Sequence, residues 1–329
     1  MGLVLRISAM QVVHDIFSDE IRDFCVQTIG GFDGVHLGHQ YLLQQMKEAA
    51  AQIGAKTMVV TFREHPSATL HPQTPVRQLT TLDEKLALLE SMGIDYVAVL
   101  DFNQQMAQIS ARRFMAEILV EQLKGRLLIV GYDHRFGRKS DEAFADYQKY
   151  GKELGIEVRL AHELPTADLP IGKGTHVSSS AIRRALSKGE ISLANTLLNR
   201  LYSIEGIVTR GEGIGRTIGF PTANIALTDN RKMLPRNGAY AVNVVFEGDV
   251  PARKHSRGML YIGSRPTLEG LGQEQRIEVN ILDFNEEIYG QRLRLEFLAF
   301  IREEQRFDSL EELRQQLEQD LEIIKHIFI

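Results

Sequence analysis

Residues 24–53 read FCVQTIGGFDGVHLGHQYLLQQMKEAAAQI and contain an apolar segment, a glycine-rich loop and a helical pattern in direct succession. The apolar segment Phe24–Ile29 predicts a strand that is buried on both faces, and Gln40–Ile53 predicts the helix that follows it. A strand that leads into a helix through such a loop is typical of a parallel α/β sheet. This stretch therefore predicts the fold of the first half of the chain.

The alternation of strand and helix continues to about residue 160. Further strands are predicted at Met58–Phe62, Tyr96–Leu100, Leu127–Val130 and Ile156–Leu160, with helices at Leu82–Met92, Ala111–Leu123 and Asp141–Leu154. Thr81 and Glu84 form a capping box in front of the first of these helices. Strands and helices at this spacing predict a Rossmann-like parallel sheet with right-handed crossovers.

The pattern changes near residue 190, after a predicted helix at Ser178–Lys188 and a shorter one at Ile191–Leu198. Strands separated by turn residues follow at Tyr202–Thr209, Ala239–Phe246, Gly258–Ile262, Arg276–Phe284 and Arg292–Ile301. They predict a small antiparallel barrel or sandwich. The boundaries then fall at 1–187 for an α/β domain, 188–201 for a linker and 202–329 for a β-rich domain.

A terminal helix is predicted at Leu310–Ile327, with a second capping box formed by Ser309 and Glu312. The residues expected on its apolar face are Leu310, Leu313, Leu317, Leu321 and Ile324. We expect this helix to close one end of the barrel.

Composition excludes several classes of protein. The 329 residues carry a net charge of −5, which disfavours a general nucleic-acid binder. The single cysteine, Cys25, allows neither an internal disulfide nor a cysteine-based zinc site. Met1–Ala9 is interrupted by Arg6 and lacks a signal-peptide pattern, and no apolar run reaches the roughly 20 residues that a membrane-spanning helix needs. We therefore expect a cytoplasmic protein that does not bind membranes.

The loop Gly30–His39 is the first candidate site, because ligands of open α/β sheets bind beyond the carboxyl ends of the strands. Glycines allow close approach of the backbone, and the helix N-terminus that follows attracts phosphate. Two imidazoles, His36 and His39, can hydrogen-bond phosphate oxygens from the same terminus. The alternatives are a structural turn or a two-histidine metal site, although no third zinc ligand lies nearby in the sequence. The loop residues expected to bind nucleotide are Gly30, Phe32, Asp33 and Gly38.

Two further loops carry an aromatic residue beside polar groups, one at Phe62 and one around Asp133. A planar ligand could stack there, although each loop alone is also an ordinary loop. Ser179, Ser180 and Arg183 begin a helix with hydroxyls and a guanidinium, which together suit a polyphosphate. A routine serine cap explains the same residues.

The second domain has one dense cluster, RGEGIGRTIGFPTAN at residues 210–224. Its glycines, among them Gly213, Gly215 and Gly219, predict a loop that closes over phosphates, and the pattern matches neither a dinucleotide fingerprint nor a Walker loop. Beyond Pro221, the oxygens of Thr222 and Asn224 are ligands that magnesium accepts. Glu278 lies on the polar face of a later strand, where a solvated strand face is the simpler interpretation.

These motifs together resemble the bacterial bifunctional riboflavin kinase/FMN adenylyltransferases (FAD synthetases). The resemblance rests on GVHLGHQ at 34–40, VSSSAIR at 177–183 and GFPTAN at 219–224, and further on LTTL at 79–82, GSRPT at 263–267 and EVNILDF at 278–284. They occur in the family's order and cover nearly the whole chain. The family implies an α/β nucleotidyltransferase domain followed by a riboflavin kinase β-barrel, with Mg²⁺, ATP, riboflavin, FMN and FAD as ligands.

The resemblance also implies roles for single residues. His36 and His39 stabilise charge in adenylyl transfer, Ser179, Ser180 and Arg183 hold the outer phosphates, and Phe62 and Asp133 face the flavin or nucleotide. In the kinase, Glu278 accepts the proton of the riboflavin 5′-hydroxyl, and Thr222 and Asn224 position magnesium. Transient hand-over of product to apo-flavoproteins is a further expectation.

The sequence departs from the family pattern in several places, among them Met259 and Leu260 in the stretch before Gly263. Ser180 stands where many members have Thr, Ala181 where a charged residue is frequent, and Tyr261 where Asn is usual. Two other functions stay open: an adenylyltransferase for pantetheine phosphate or a nicotinate nucleotide, and a flavin or nucleotide sensor without turnover. The GFPTAN barrel argues against the first, and the retained His36 and Glu278 argue against the second.

Overall fold

The computed structural model describes residues 10–17, 21–131, 135–138, 142–167, 169–172, 176–211, 213–247, 255–266 and 273–327. The chain divides into two compact units, Met1–Leu169 and Pro170–Ile329. This division places the helix that begins at Ser179 in the second unit, whereas the sequence pattern ends the first domain at residue 187. A helix, Ile191–Leu198, occupies most of the predicted linker.

The first unit contains a parallel sheet of six strands. The strands are β1 Gln11–Val13, β2 Cys25–Ile29, β3 Lys56–Phe62, β4 Tyr96–Leu100, β5 Gly125–Val130 and β6 Glu157–Leu160. Its helices are α1 Leu37–Ile53, α2 Ser67–Leu70, α3 Leu82–Ser91, α4 Gln104–Ala107, α5 Ala111–Arg113, a π-helix Phe114–Gln122 and α6 Phe144–Leu154. The strand order is β1-β4-β3-β2-β5-β6. The predicted parallel α/β architecture is confirmed.

Alternate residues of each strand belong to two separate apolar layers, one on each face of the sheet, as expected for a sheet covered on both faces. Val59 and Val97 pack with α1 residues in one layer, whereas Met58 and Ala98 pack in the other with the π-helix. Because both faces are buried, the strands read as continuous apolar runs in the sequence.

The segment predicted as one helix over Ala111–Leu123 is wound more widely than expected. After α5 it continues as a π-helix, Phe114–Gln122. The buried side chain of Gln27 on β2 donates hydrogen bonds to the carbonyls of Leu119 (3.2 Å) and Leu123 (2.7 Å). A side chain that donates hydrogen bonds to helix carbonyls competes with the α-helical bonds and favours a local π-helix. The periodicity of the segment alone does not reveal this contact.

The second unit is a closed antiparallel barrel preceded by two helices. The helices are α7 Ser179–Lys188 and α8 Ile191–Leu198, with a short α9 Ile214–Thr217 later. The strands are β7 Ser203–Thr209, β8 Ala223–Leu227, β9 Gly238–Glu247, β10 His255–Pro266, β11 Gln273–Ile281 and β12 Arg292–Glu303. They close in the order β10-β11-β8-β7-β12-β9. The structure thus selects the barrel over the sandwich.

The terminal helix α10, Leu310–Ile327, packs on this barrel as predicted. Leu317, Leu321 and Ile324 join an apolar cluster that includes Phe220 and Met259. Leu310 was wrongly assigned to the apolar face: it is 54% exposed, because it is the first residue of the helix. The helix is also anchored by Asp320, which is fully buried and accepts from Arg302 Nε at 2.8 Å.

Three strand assignments needed correction. The strands β1 and β8 were not predicted, because β1 has only three residues and β8 begins two residues after Pro221. The strand predicted to reach Phe284 ends at Ile281, since Leu282 and Asp283 form a turn in which Asp283 has a positive φ of 54°.

Candidate active sites

The strand order of the first unit reverses at β2, which lies between β3 and β5. Such a reversal leaves a crevice outside the carboxyl ends of the strands, where ligands of α/β sheets bind. The loop after β2 is the predicted loop Gly30–His39. Asp133 follows β5 at the other side of the reversal, and it lies outside the described residues.

The loop after β2 has an unusual backbone conformation. Phe32, Gly34 and Val35 have positive φ values of 47°, 84° and 39°. Non-glycine residues rarely adopt this region, and they cluster at functional sites where the surroundings fix them. The chain here is thus held in one shape before any ligand arrives.

Asp33 is the residue that fixes this shape. Its carboxylate is buried, and Oδ1 accepts hydrogen bonds from the backbone N–H groups of Leu79 (2.8 Å) and Thr80 (3.1 Å). The Thr80 hydroxyl in turn accepts from the N–H of Gly34 at 3.0 Å. The predicted LTTL motif at 79–82 therefore stabilises the loop through these hydrogen bonds, and Asp33 connects the two segments.

His36 and His39 lie at the N-terminus of α1 with their rings stacked, 3.6 Å between centroids. Nδ1 of His36 accepts from the backbone N–H of His39 at 3.3 Å, which makes His36 the cap of the helix. A neutral imidazole that accepts at Nδ1 carries its proton on Nε2. That N–H can donate to an anionic oxygen beside a helix end that itself favours anions.

Lys85, on the buried face of α3, is a site residue that the sequence analysis missed. Its ammonium group donates to the carbonyls of Gly31 (3.1 Å) and Phe62 (3.0 Å) and to the hydroxyl of Thr61 (3.1 Å). Burial lowers the pKa of Lys85 to about 8, against a smaller raising effect of Asp33. Lys85 therefore joins the ends of β2 and β3. The signal was a lysine at an apolar position of a helix, four residues before Leu89.

Phe62 lies at the end of β3 in the wall of a cleft of about 530 Å³. Its ring meets Phe102 edge-on, with 5.4 Å between centroids. Other aromatic and cationic lining residues are Phe114, Phe136, His65, Arg135 and Arg138. A planar aromatic ligand with an anionic group fits this mixture of rings and cations.

The remaining predicted residues of the adenylyl site lie at helix starts or beside the loop. Gly30 donates its N–H to Val60 at 3.0 Å, and Gly38 is the second residue of α1. Ser179, Ser180 and Arg183 lie in the first turns of α7, whose cap is Ser178, accepting from the N–H of Ala181 at 3.2 Å. Because α7 belongs to the second unit, its alignment with His36 stays a prediction.

In the second unit, two glycines of the loop that precedes β8, Gly211 and Gly215, leave no space for a side chain. A Cβ on Gly211 would lie 2.0 Å from Nδ2 of Asn224, and one on Gly215 would lie 2.2 Å from the carbonyl of Phe220. Gly213 and Gly219 have positive φ values of 73° and 85° at the two ends of α9. These glycines therefore allow the loop to pack against the residues expected to hold magnesium and phosphates.

Asn224 and Glu278 are brought together by the register of the barrel. Asn224 on β8 lies directly opposite Glu278 on β11, and Glu278 lies directly opposite Tyr261 on β10. The neighbouring residues Ile277 and Val279 are buried, so Glu278 lies on the face away from the core. The same face carries Asn280, whose amide donates to the carbonyl of Pro221 at 2.7 Å.

Glu278 is paired with Arg276, a second residue that the sequence analysis did not single out. Oε1 of Glu278 accepts from Nε of Arg276 at 2.6 Å. The sequence signal for this pair is that Arg276 lies two residues before Glu278, since residues two apart on a strand lie on the same face.

Thr222 lines a second cleft, of about 290 Å³. Arg216 and Pro221 lie beside it, and the segment 284–289 forms the opposite wall. This cleft adjoins the glycine loop, so Thr222 and Pro221 are in a position to meet a ligand there.

Within the described ranges, no group of three histidine, cysteine, aspartate or glutamate side chains could hold a metal ion. In the same ranges no helix is long and apolar enough to cross a membrane.

Comparison with known families divides the chain as the fold does. Residues 18–180 match the family model for FAD synthetase, and residues 198–328 match the model for riboflavin kinase.

Curated relatives match over nearly their full length. A bifunctional riboflavin kinase/FMN adenylyltransferase of Escherichia coli (strain K12) is 37% identical over 308 residues, covering 94% of this chain and 94% of that protein. The protein of the same description from Listeria monocytogenes is 37% identical over 309 residues, with 93% and 94% covered. The one from Pseudomonas fluorescens is 38% identical over 297 residues, with 90% and 91% covered.

A solved structure from Streptococcus pneumoniae, described as a macrolide-efflux protein, has the same fold. The TM-score is 0.83 at 30% identity, covering 96% of this chain and 99% of that one.

Proposed function

This chain belongs to the bifunctional riboflavin kinase/FMN adenylyltransferase family, and we propose that the α/β domain predicted over residues 1–187 and the β-barrel each carry one of the family's two reactions. Its activities are the phosphorylation of riboflavin to FMN and the adenylylation of FMN to FAD, with ATP as the co-substrate. The barrel catalyses the first reaction and the α/β domain the second. The observation that supports this division is that each domain has its own glycine-containing loop of the kind that suits phosphate, at 30–39 in the first and at 211–221 in the second.

In the adenylyl step, an oxygen of the FMN phosphate attacks the α-phosphorus of ATP directly. The bond from that phosphorus to the pyrophosphate oxygen breaks, and no covalent intermediate forms on the enzyme. Negative charge spreads over the α-phosphate and the leaving pyrophosphate. His36, His39 and the N–H groups at the start of α1 stabilise that charge, which the stacked rings and the Nε2–H of His36 support.

Ser179, Ser180 and Arg183 hold the outer phosphates in the same step. Two hydroxyls and a guanidinium at the first turns of a ten-residue helix support this role. Ala181 contributes its backbone N–H to the helix cap, so the loss of a charged side chain at this position leaves the cap intact.

The cleft beside Phe62 holds the flavin ring system. Its rings offer stacking surfaces, and Arg135 and Arg138 offer charge to the flavin phosphate. Asp133, which follows β5 at the strand reversal, contacts the flavin or nucleotide. Gly30, Phe32 and Gly38 shape the adjoining nucleotide loop, and Asp33 braces it.

In the kinase step, Glu278 accepts the proton of the riboflavin 5′-hydroxyl as that oxygen attacks the γ-phosphorus of ATP. The support is its position opposite Asn224 on the face away from the barrel core. The loop that carries Gly213, Gly215 and Gly219 covers the nucleotide, with Pro221 at its end.

Magnesium fits the oxygens of Thr222 and Asn224, which are hard donors. Gly211 leaves room for the Asn224 amide, and Gly215 leaves room beside the Thr222 hydroxyl, where a Cβ would lie 3.4 Å from Oγ1. When bound, the ion neutralises charge on the phosphates. Neither residue carries a charge of its own, so the ATP phosphates would supply the negative charge around the ion.

The fine points of partners and location are proposals as well. Product flavins pass transiently to apo-flavoproteins, and the enzyme works in the cytoplasm, as its single buried cysteine supports.

Flavin chromatography of the full chain tests the division of labour. Riboflavin with Mg–ATP, and FMN with Mg–ATP, are incubated separately with wild type, His36→Asn and Glu278→Gln. We expect Glu278→Gln to make no FMN and to convert FMN to FAD normally, and His36→Asn to accumulate FMN. Loss of both activities in either folded variant would contradict the proposal. Normal FAD synthesis by His36→Asn would remove His36 from the reaction.

A further inference from the structure

Arg276 and Glu278 are adjacent on the outer face of β11 and form a close ion pair. Oε1 of Glu278 lies 2.6 Å from Nε and 2.5 Å from Nη2 of the same guanidinium. The two side chains are only 30% and 14% exposed. A planar guanidinium with two donors on one carboxylate oxygen fixes the orientation of that carboxylate.

We infer that Arg276 is a positioning residue for phosphoryl transfer, which holds Oε1 of Glu278 so that Oε2 is presented to the substrate hydroxyl. This inference rests on the proposed function, in which Glu278 is the general base. Among the residues that the structure describes, none donates a hydrogen bond to Oε2. The hydroxyl proton passes to Oε2 while the hydroxyl oxygen bonds to the γ-phosphorus and the bond from that phosphorus to ADP breaks.

Within the described ranges, Arg276 is the cationic residue that pairs with Glu278, because the other polar groups nearby have different partners or carry no charge. On β10, Tyr261 faces Glu278, but its hydroxyl donates to Glu304 at 2.7 Å. The strand β8 places Asn224 opposite Glu278 and carries no titratable side chain. Arg302, beyond Tyr261, is bound to Asp320. The Arg276 guanidinium is therefore the group that orients the Glu278 carboxylate.

The chain offers a matched control on another strand. Arg294 and Glu296 on β12 have the same spacing, and their ion pair joins Nη1 to Oε1 at 2.8 Å. Their exposures, 37% and 18%, are close to those of the first pair. Removing Arg294 thus reproduces the loss of such a pair without touching Glu278.

The experiment measures kcat, and KM for riboflavin and for ATP, in FMN formation by the full chain. In Arg276→Met we expect kcat to fall at least about tenfold while both KM values stay within about threefold, because the base is misoriented and substrate binding is kept. Arg276→Lys keeps a donor but loses the planar guanidinium with its two donors, so it restores kcat only in part. Arg294→Met leaves these quantities unchanged, and adenylylation of supplied FMN stays normal in all three variants.

Three results would overturn the inference. They are an unchanged kcat in Arg276→Met, an equal loss of kcat in Arg294→Met, and a rise in KM for ATP with an unchanged kcat, which would make Arg276 a nucleotide ligand. Glu278→Gln in the same series separates the two levels. If that variant still phosphorylates riboflavin, the base assignment itself fails; if it is inactive while Arg276→Met is normal, only the inference about Arg276 fails.

Discussion

Tyr261 lies directly opposite Glu278 in the β10–β11 ladder, yet its hydroxyl donates to Glu304 on the far side. Burial and the bond to Glu304 raise the pKa of Tyr261 far above its ordinary value, so the hydroxyl stays protonated. Tyr261, which stands where the family usually has Asn, therefore connects β10 to the segment after β12 by a hydrogen bond.

Tyr261→Phe tests this connection. We expect the variant to lose about 1 kcal/mol of stability, because one hydrogen bond to a carboxylate disappears, and to keep riboflavin phosphorylation within about threefold of wild type. Thermal unfolding and kinase assays measure the two effects. A kinase loss beyond about tenfold with unchanged stability would place the hydroxyl in the reaction.

Gly211→Ala is expected to impair the kinase by moving Asn224. The added Cβ would lie 2.0 Å from the Asn224 amide, so that side chain has to leave its position. Riboflavin phosphorylation should fall at least about tenfold, while FMN adenylylation is unaffected.

Gly206→Ala is the matched control for that change. Its Cβ would lie 2.3 Å from the side chain of Ile225, which follows Asn224 on β8 and points to the other face of that strand. This variant should lose stability and keep the kinase activity of its folded fraction. Equal kinase losses per folded molecule in the two variants would show that a general distortion, and not Asn224, is responsible.

His36 has a structural and a chemical role, which two substitutions separate. Asparagine also caps helices well, so His36→Asn should keep the stability of α1, whereas His36→Ala should lose about 1 kcal/mol. Both variants should make FAD at least about 100-fold more slowly, because both lack the imidazole N–H. Activity that follows the cap, with Asn near wild type and Ala low, would reduce His36 to a capping residue.

Lys85→Met should loosen the loop after β2 and lower FAD synthesis without affecting FMN synthesis. It should also change the pH dependence of unfolding. The pKa of Lys85 is about 8 in the folded chain and 10.5 ordinarily, so between these values the unfolded chain binds more protons. The free energy of unfolding of wild type should therefore rise over that interval by up to about 3 kcal/mol relative to Lys85→Met.

Circular dichroism follows this unfolding, since the chain has no tryptophan. A difference between wild type and Lys85→Met that stays flat from pH 8 to 10.5 would show that the ammonium group is solvated.

Cys25 should resist alkylation in the native protein. Burial and the neighbouring carboxylates Asp23 and Asp95 raise the pKa of the thiol to about 12, so the reactive thiolate is scarce near neutral pH. Iodoacetamide should label Cys25 only after denaturant is added, as mass spectrometry would show. Rapid labelling without denaturant would mean that the sheet opens readily at the start of β2.

The sequence predicted the elements whose signals are local. Thr81 and Glu84 form the reciprocal capping box expected of them. Ser309 likewise caps α10, although Glu312 reaches the N–H of Asp308 instead of that of Ser309. Buried strands and amphipathic helices were recognisable for the same reason, because their periodicity lies within a few residues.

The parts that escaped prediction depend on partners distant in the sequence. Lys85 is a site residue because Gly31 and Phe62 place carbonyls around it, and no window of sequence near Lys85 contains that fact. The π-helix depends in the same way on Gln27, about 90 residues earlier in the chain. Asn224 was predicted as a metal ligand from its residue type, its two-residue spacing from Thr222 and the family resemblance, while its place opposite Glu278 comes from the register of β8 with β11.

The order of strands in the barrel determines when, during synthesis on the ribosome, the chain can begin to phosphorylate riboflavin. The strand made last, β12, lies between β7 and β9, so the barrel cannot close until nearly the whole chain has left the ribosome. Until then β7 and β9 each present an open edge, which is prone to pairing with other chains. The α/β sheet is complete by Leu160 and can form earlier. A nascent chain is thus equipped to consume FMN before it is equipped to produce it.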